Sequence, residues 1–223
     1  PHNGNLSNGL MFDDVRYNGK PMDADYARRR MQWEPLTEAT QIKGDSEAHP
    51  SLSPNDEFAD FGTWDKANIA GTMAKSADML PREYARPALK RGLAYEDSLG
   101  VNPFKFGMIG ASDSHTALAT TRDDNYFGKF AGNEPRGDRW DHYVIKAIGG
   151  DESLSTFAYE EVASGLAAVW ATTNTREALF DAMQRKEVYT TTGPRMTVRL
   201  FGGTGYTIED LNSPDMARIG YRK

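Results

Sequence analysis

The residues best suited to chemistry follow an apolar stretch near the middle of the chain. Residues 104–111 are rich in Phe, Met, Ile and Gly, which predicts a buried strand. The segment from Ser112 to His115 then brings hydroxyl, carboxylate and imidazole groups together. Residues two apart on a strand point to the same face, so extended geometry would aim Asp113 and His115 at one point. An oxygen and a nitrogen donor there form half of a divalent-metal site. For an isolated Asp-x-His pair the alternative is structural: Asp113 and Ser114 cap or turn the chain, and His115 is an ordinary surface or core histidine.

A second acidic residue stands two positions before a histidine, at Glu47 and His49. The chain has 4 histidines, so two such pairs favour function over coincidence. Pro50 favours extended geometry at His49, which suits a ligand at a strand end. We therefore predict Glu47 as a metal ligand, and His49 as a ligand or general acid. A polar turn remains the alternative.

The first nine residues, PHNGNLSNG, have the composition of a turn-rich loop. We predict that His2 is a metal ligand there and that Asn3 and Asn5 bind an anionic substrate. Arg195 stands beside a Gly-Pro turn and is a third candidate for that anion. The alternatives are a plain surface loop for residues 1–9 and a structural ion pair for Arg195.

The composition narrows the possible partners and ligands. The 223 residues include no cysteine, which excludes disulfides and thiolate ligands and leaves nitrogen and oxygen donors for a metal. The net charge of -6 argues against a nucleic-acid partner, because such proteins present a basic face. The sequence contains no run of about 18 apolar residues, so it predicts no membrane-spanning helix. A local basic pocket for a small anionic substrate is compatible with this charge.

Apolar strands alternate with amphipathic helices, which predicts an α/β fold. The predicted helices cover residues 23–40, 82–99 and 176–186, and the predicted strands cover residues 104–111, 165–171, 188–192 and 196–201. Asp23 or Asp25 is predicted to cap the first helix, Asn174 or Thr175 the third, and Gly100 to follow the second. Phe58, Phe61 and Trp64 recur at helical spacing and are predicted to be core. The long polar segment 116–143 is predicted to cover an active site. Because polar groups follow the strands, as in α/β barrels, we predict part of a distorted TIM-like (β/α) barrel.

Five motifs resemble one large bacterial family, domain of unknown function 3604, and the resemblance covers nearly the whole chain. The motifs are PHNGNLSNG at 1–9, KGDSEAHPSLSPNDEF at 43–58, GASDSH at 110–115, NTREALFDAM at 174–183 and TTGPR at 191–195. This family is similar to the polymerase-and-histidinol-phosphatase (PHP) type of metal-dependent hydrolases in the amidohydrolase-like group. The resemblance implies a distorted barrel with a cluster of two or three metals that cleaves phosphoesters.

The resemblance also assigns residues. GASDSH matches the motif that closes such domains, which makes Asp113 and His115 ligands, and His2 matches a mid-chain histidine ligand. Glu47 lies near the expected acidic position. The His-x-His motif that opens such domains is missing, so we expect this chain to work with an N-terminal half of the same protein. Family members often carry export signals, which favours a periplasmic or secreted location.

The sequence thus predicts a metal-dependent hydrolase, most specifically a phosphoesterase, that uses water bound to one to three Zn, Mn or Fe ions. Asp113 and His49 are the predicted catalytic residues. Residues 1–190 are predicted to be the C-terminal part of the barrel-like domain, and residues 191–223 to begin a β-rich segment. The alternative is a non-catalytic module that binds a glycan or anion, with Trp64, Tyr126 and Trp140 as its aromatic platform.

Overall fold

The computed structural model describes residues 1–117, 122, 124, 128–132, 136–162 and 165–223. Its helices are α1 (Ala24–Trp33), α2 (Ala85–Leu99), α3 (Arg176–Gln184), α4 (Ile208–Leu211) and α5 (Met216–Gly220). Its strands are β1 (Leu36–Gln41), β2 (Gly44–Asp45), β3 (Gly107–Gly110), β4 (Tyr143–Ile145), β5 (Thr156–Phe157), β6 (Leu166–Val169) and β7 (Val188–Thr191). No helix in these ranges is long and apolar enough to cross a membrane.

The central sheet has the strand order β2-β1-β3. β1 and β3 are parallel, with Leu36 opposite Gly107 and Thr40 opposite Gly110. β2 turns back antiparallel on the end of β1. Because β1 and β3 run in the same direction, their carboxyl ends meet at one edge of the sheet. This edge brings residues 41–43 and 111–115 together.

The antiparallel hairpin of β6 and β7 lies against β3. A Cβ atom added to Gly107 would lie 2.7 Å from Val188 Cγ2, and one added to Gly110 would lie 2.2 Å from Thr190 Oγ1. Glycine is therefore required at both positions for β7 to approach so closely. The two glycines at the ends of the GMIG strand thus set the distance between the sheet and the hairpin.

The apolar core lies between β3, the two long helices and the loop before α1. Phe12 and Phe104 are each 1% exposed and meet edge to face with ring centroids 5.7 Å apart. Ala27 of α1 and Ala88 of α2 are fully buried against them. Small residues on both helices let the helix backbones pack closely around the aromatic pair.

Helix ends follow the predicted capping chemistry. The Asp23 side chain accepts from Tyr26 N at the start of α1, and Thr175 accepts from Ala178 N at the start of α3. Gly100 follows α2 with a φ of 71°, the left-handed geometry that ends many helices. These three local predictions are confirmed.

The predicted TIM-like barrel is wrong. A barrel needs one ring of strands that closes on itself, whereas the described strands form one sheet of three strands and two sheets of two. The fold is mixed α/β without a closed barrel. The reason lies in the pairing: β2 and the β6–β7 hairpin are antiparallel, so strand and helix do not alternate regularly around a parallel ring.

Three local predictions are also wrong. The helix predicted over residues 23–40 ends at Trp33, and residues 36–41 form β1 instead, because Pro35 removes a helix donor and Thr37 and Thr40 are β-branched. Phe58 and Phe61 are 74% and 42% exposed, since residues 51–63 form successive turns rather than a helix. Residues 196–201 have no strand partner within the described ranges.

Candidate functional site at the carboxyl ends of β1 and β3

The site is built where the two parallel strands end. Lys43 follows β1, and Asp113 and His115 follow β3. The amino-terminal loop joins them, because Glu38 N of β1 donates to Pro1 O at 3.0 Å. Sheet hydrogen bonding therefore places three segments, far apart in sequence, at one edge.

Asp113 is the centre of the cluster. Lys43 Nζ contacts its Oδ2 atom, and Lys129 Nζ lies 2.5 Å from the same oxygen. Lys129 Nζ also donates to the Asp113 carbonyl at 2.6 Å and lies 3.1 Å from His115 Nε2. His115 Nε2 lies 3.2 Å from Asp113 Oδ1. The predicted pair of Asp113 and His115 is thus brought together around two lysines.

The backbone at Asp113 is not the extended strand that the sequence predicted. Its φ is 49°, in the left-handed region that few residues other than glycine adopt. The segment therefore turns after Gly110, and the side chains of Asp113 and His115 converge by way of this turn. Such sparsely populated backbone geometry is typical of functional sites.

Burial and like charge change the titration of this cluster. Burial, followed by the nearby Lys129 ammonium, lowers the pKa of Lys43 to about 7. Burial also lowers the pKa of Lys129. The Lys129 ammonium lowers the pKa of the His115 imidazole. The His115 side chain is 55% exposed.

A second pair of donors lies on the β1 side of the edge. His2 Nδ1 donates to Glu38 Oε2 at 2.5 Å. Gln41 Nε2 donates to the same carboxylate oxygen at 3.3 Å and also contacts Asn3 Oδ1. Asn3 has a φ of 57°, so its left-handed backbone turns the loop toward β1. The predicted residues His2 and Asn3 therefore lie beside β1, with Glu38 as a partner that the sequence analysis missed.

These donors fit a divalent ion in type, although not as a complete set of ligands. Imidazole nitrogen and carboxylate oxygen are the ligands that Zn, Mn and Fe take in the absence of thiolate. Two such pairs are present, His2 with Glu38 and Asp113 with His115. Within the described ranges, no three His, Asp or Glu side chains come together closely enough to hold an ion. Metal binding by these two pairs stays a prediction.

Glu47 is placed away from both pairs. Its Oε1 atom accepts from Arg86 Nε at 3.0 Å and from Arg86 Nη2 at 2.9 Å. Arg86 Nη1 donates to Asp56 Oδ2 at 2.5 Å. Glu47 and Asp56 therefore both bind the Arg86 guanidinium at the start of α2. Its role as a metal ligand stays a prediction.

His49 belongs to a third polar group. Its Nδ1 atom accepts from Ser51 N at 3.2 Å and lies 2.7 Å from Ser51 Oγ. Its Nε2 atom lies 3.2 Å from Asp65 Oδ2. This pattern assigns the ring proton to Nε2, which donates to the carboxylate. His49 is only 7% exposed, and its role as ligand or general acid stays a prediction.

Asn5 and Arg195 are the other residues predicted to bind substrate, and neither lies within the Asp113 cluster. Asn5 is 1% exposed, and its Nδ2 atom donates to the carbonyls of Lys43 at 3.0 Å and Trp64 at 3.3 Å. Asn5 therefore holds the backbone that carries Lys43. Arg195 is exposed beyond β7 and bonds to none of the residues of the cluster within the described ranges. Substrate binding by both stays a prediction.

The sequence analysis missed Glu38, Gln41, Lys43 and Lys129. Glu38 lay inside the helix predicted over residues 23–40, which hid its place on a strand. Lys43 opens one of the five motifs, so its position could have been noticed. Lys129 lies in the segment predicted to cover the site, much of which (118–121, 123, 125–127 and 133–135) is outside the described residues.

The alternative function, a glycan- or anion-binding module, needs Trp64, Tyr126 and Trp140 as an aromatic platform, and Trp64 does not contribute to it. Trp64 is 6% exposed, and its indole N–H donates to Glu160 O at 2.7 Å, so it is a core residue. Trp140 is 68% exposed. Tyr126 is outside the described residues. Of the two predicted platform tryptophans, Trp140 alone is exposed to a ligand.

One comparison with known proteins identifies a relationship over the whole chain. A family described as a protein of unknown function, DUF3604, matches residues 1–223. No curated protein matches the chain, and no solved structure matches it. The family match covers every element of the site, from His2 to Asp113 and His115. The chain therefore belongs to the DUF3604 family.

Proposed function

We propose that this protein is a metal-dependent hydrolase of the phosphoesterase class, similar in its chemistry to the PHP-type hydrolases. The observation that supports the proposal is the position of Asp113 and His115 just after β3, which pairs in parallel with the strand that carries the His2–Glu38 pair. Active sites of α/β proteins collect at such strand ends. Perturbed titratable groups in the same place strengthen this argument.

In this proposal, Asp113 and His115 form one pair of ligands, and His2 and Glu38 form the other. When bound, a Zn, Mn or Fe ion supplies positive charge and lowers the pKa of a coordinated water from 15.7 to roughly 7. The chain's own residues orient the reactants: Lys129 holds Asp113 and His115 in place. Gln41 holds Glu38 and Asn3.

The test is the metal content of the purified protein, measured by mass spectrometry together with the hydrolysis of p-nitrophenyl phosphate. We expect bound Zn, Mn or Fe in the wild type and a loss of both metal and hydrolysis in His115→Ala and Asp113→Asn. His142→Ala is the matched control, because His142 lies 3.8 Å from Asp138 and outside the cluster. It should retain both properties.

Two outcomes would contradict the proposal. A folded wild type that takes up none of these metals when they are supplied, and hydrolyses no phosphoester, would favour the non-catalytic binding module. Equal metal content in wild type and His115→Ala would place the metal elsewhere in the protein.

A further inference from the structure

Two buried lysines at the candidate site share one carboxylate oxygen. The side chains of Lys43 and Lys129 are 8% and 5% exposed, and both ammonium groups contact Asp113 Oδ2. Neither lysine belongs to the metal-ligand pairs discussed above. Long cationic side chains are rarely buried to this extent unless they are paired or bind a ligand.

The other acids near the two lysines already have partners. Glu38 accepts from His2 and Gln41. Glu161 pairs with Arg139 at 3.3 Å. The described ion pairs of Lys43 and Lys129 both go to Asp113. The single Asp113 carboxylate is therefore in direct contact with two ammonium groups.

The hydrogen-bond donors of the two lysines also exceed their acceptors. Two ammonium groups carry six N–H donors. The acceptors that they contact within the described ranges are Asp113 Oδ2, the Asp113 carbonyl and His115 Nε2. All three acceptors belong to one turn after β3. Donors therefore remain for oxygen atoms that are not part of this cluster.

The two histidines of the candidate site are open to solvent. The side chains of His2 and His115 are 56% and 55% exposed, whereas Asp113 is 16% exposed. Because His115 Nε2 lies 3.1 Å from Lys129 Nζ, the lysine pair lies next to a solvent-exposed ring. Compact ammonium groups suit an anion with several oxygen atoms, as the lysine of a P-loop does.

We propose that Lys43 and Lys129 bind the phosphoryl group of a phosphate monoester at this site. The identity of the ester rests on the proposed function, whereas the anion site depends on the two lysines alone. In this arrangement the ammonium groups donate to the non-bridging phosphoryl oxygens. Both lysines are thus substrate-binding residues as well as ion-pair partners of Asp113.

The experiment measures the binding of inorganic phosphate to the protein by calorimetry, for the wild type and for Lys43→Met, Lys129→Met and Lys129→Arg. We expect each methionine variant to bind phosphate about 10-fold more weakly or worse, because each loses a charge-assisted hydrogen bond. Lys129→Arg should retain most of the affinity.

Lys66→Met is the matched control for the change in net charge. The Lys66 ammonium lies 2.5 Å from Glu160 Oε1 and 3.3 Å from Ser155 O, away from the cluster. This variant should bind phosphate within about twofold of the wild type, since exposed charges contribute little at a distance. An equal loss in Lys66→Met would mean that net charge alone governs binding.

A measurement on the wild type covers the case in which a methionine variant does not fold. Phosphate should protect Lys43 and Lys129, but not Lys66, from acetylation by acetic anhydride, as read by peptide mass spectrometry. The proposal is overturned if the wild type does not bind phosphate, or if the folded methionine variants bind it as the wild type does. Metal content is measured separately, so an intact metal site with unchanged phosphate binding in the variants would refute this inference alone.

Discussion

The replacement Asp113→Asn tests whether one carboxylate holds both buried lysines. Asparagine has nearly the same shape but carries no charge, so the Lys43 and Lys129 ammonium groups lose their direct counter-charge. Removal of one partner from a buried ion pair typically costs about 3–5 kcal/mol. Because the Asp113 side chain is still 16% exposed, we expect the lower end of this range, about 3 kcal/mol.

The assay is urea unfolding, followed by tryptophan fluorescence and circular dichroism, with a chelator present so that no bound cation contributes. Asp25→Asn is the matched control, because Asp25 pairs with Arg28 on the surface of α1 and is 83% exposed. Exposed pairs of this kind contribute at most about 1 kcal/mol. The two asparagine variants should therefore differ clearly in their free energies of unfolding.

A variant that combines Asp113→Asn with Lys43→Met and Lys129→Met completes the test. Apolar side chains of similar size remove the stranded charges, so this variant should recover about 2 kcal/mol or more of the lost stability. The reasoning is refuted if Asp113→Asn is as stable as Asp25→Asn. It is also refuted if the lysine replacements bring no recovery.

Two further changes test the packing and the titration of the site. Gly110→Ala should lower the free energy of unfolding by about 1–3 kcal/mol, because the new methyl group would lie 2.2 Å from Thr190 Oγ1; unchanged stability in urea would show that β7 moves freely. Burial raises the pKa of Asp45 from 3.8 to about 7, so its contribution to stability is present below about pH 4 and is lost as the pH rises through 7. Asp45→Asn should therefore gain stability relative to the wild type by about 4 kcal/mol between about pH 4 and pH 8, and a difference independent of pH in urea titrations would contradict this assignment.

Local sequence signals predicted three helix caps because the interactions at a cap are themselves local. Asp23 and Thr175 accept from backbone N–H groups three residues further on, and Gly100 adopts left-handed geometry just after α2. Each depends on residue type and a few neighbours. The stretch 104–111, rich in Phe, Met, Ile and Gly, likewise predicted the strand that forms at β3.

Predictions that needed a partner elsewhere in the chain were less successful. Pro35 and two β-branched threonines are only weak local signals for the strand at Leu36–Gln41, which pairs with β3, since strand preference depends on cross-strand neighbours. The aromatic spacing of Phe58 and Phe61 resembled a buried helix, yet turns expose both rings. The barrel failed for the same reason, because closure depends on pairing across the whole sheet.

The sequence by itself determined which groups are available to the site: nitrogen and oxygen donors without cysteine, with Asp113 and His115 beside each other. The tertiary structure alone decided which of these groups meet. Parallel pairing of β1 with β3 brings Lys43 to Asp113 across 70 residues. It leaves Glu47 with Arg86 and His49 with Asp65. Side-chain chemistry is a local property, whereas convergence of side chains depends on strand order and direction, which short-range spacing does not specify.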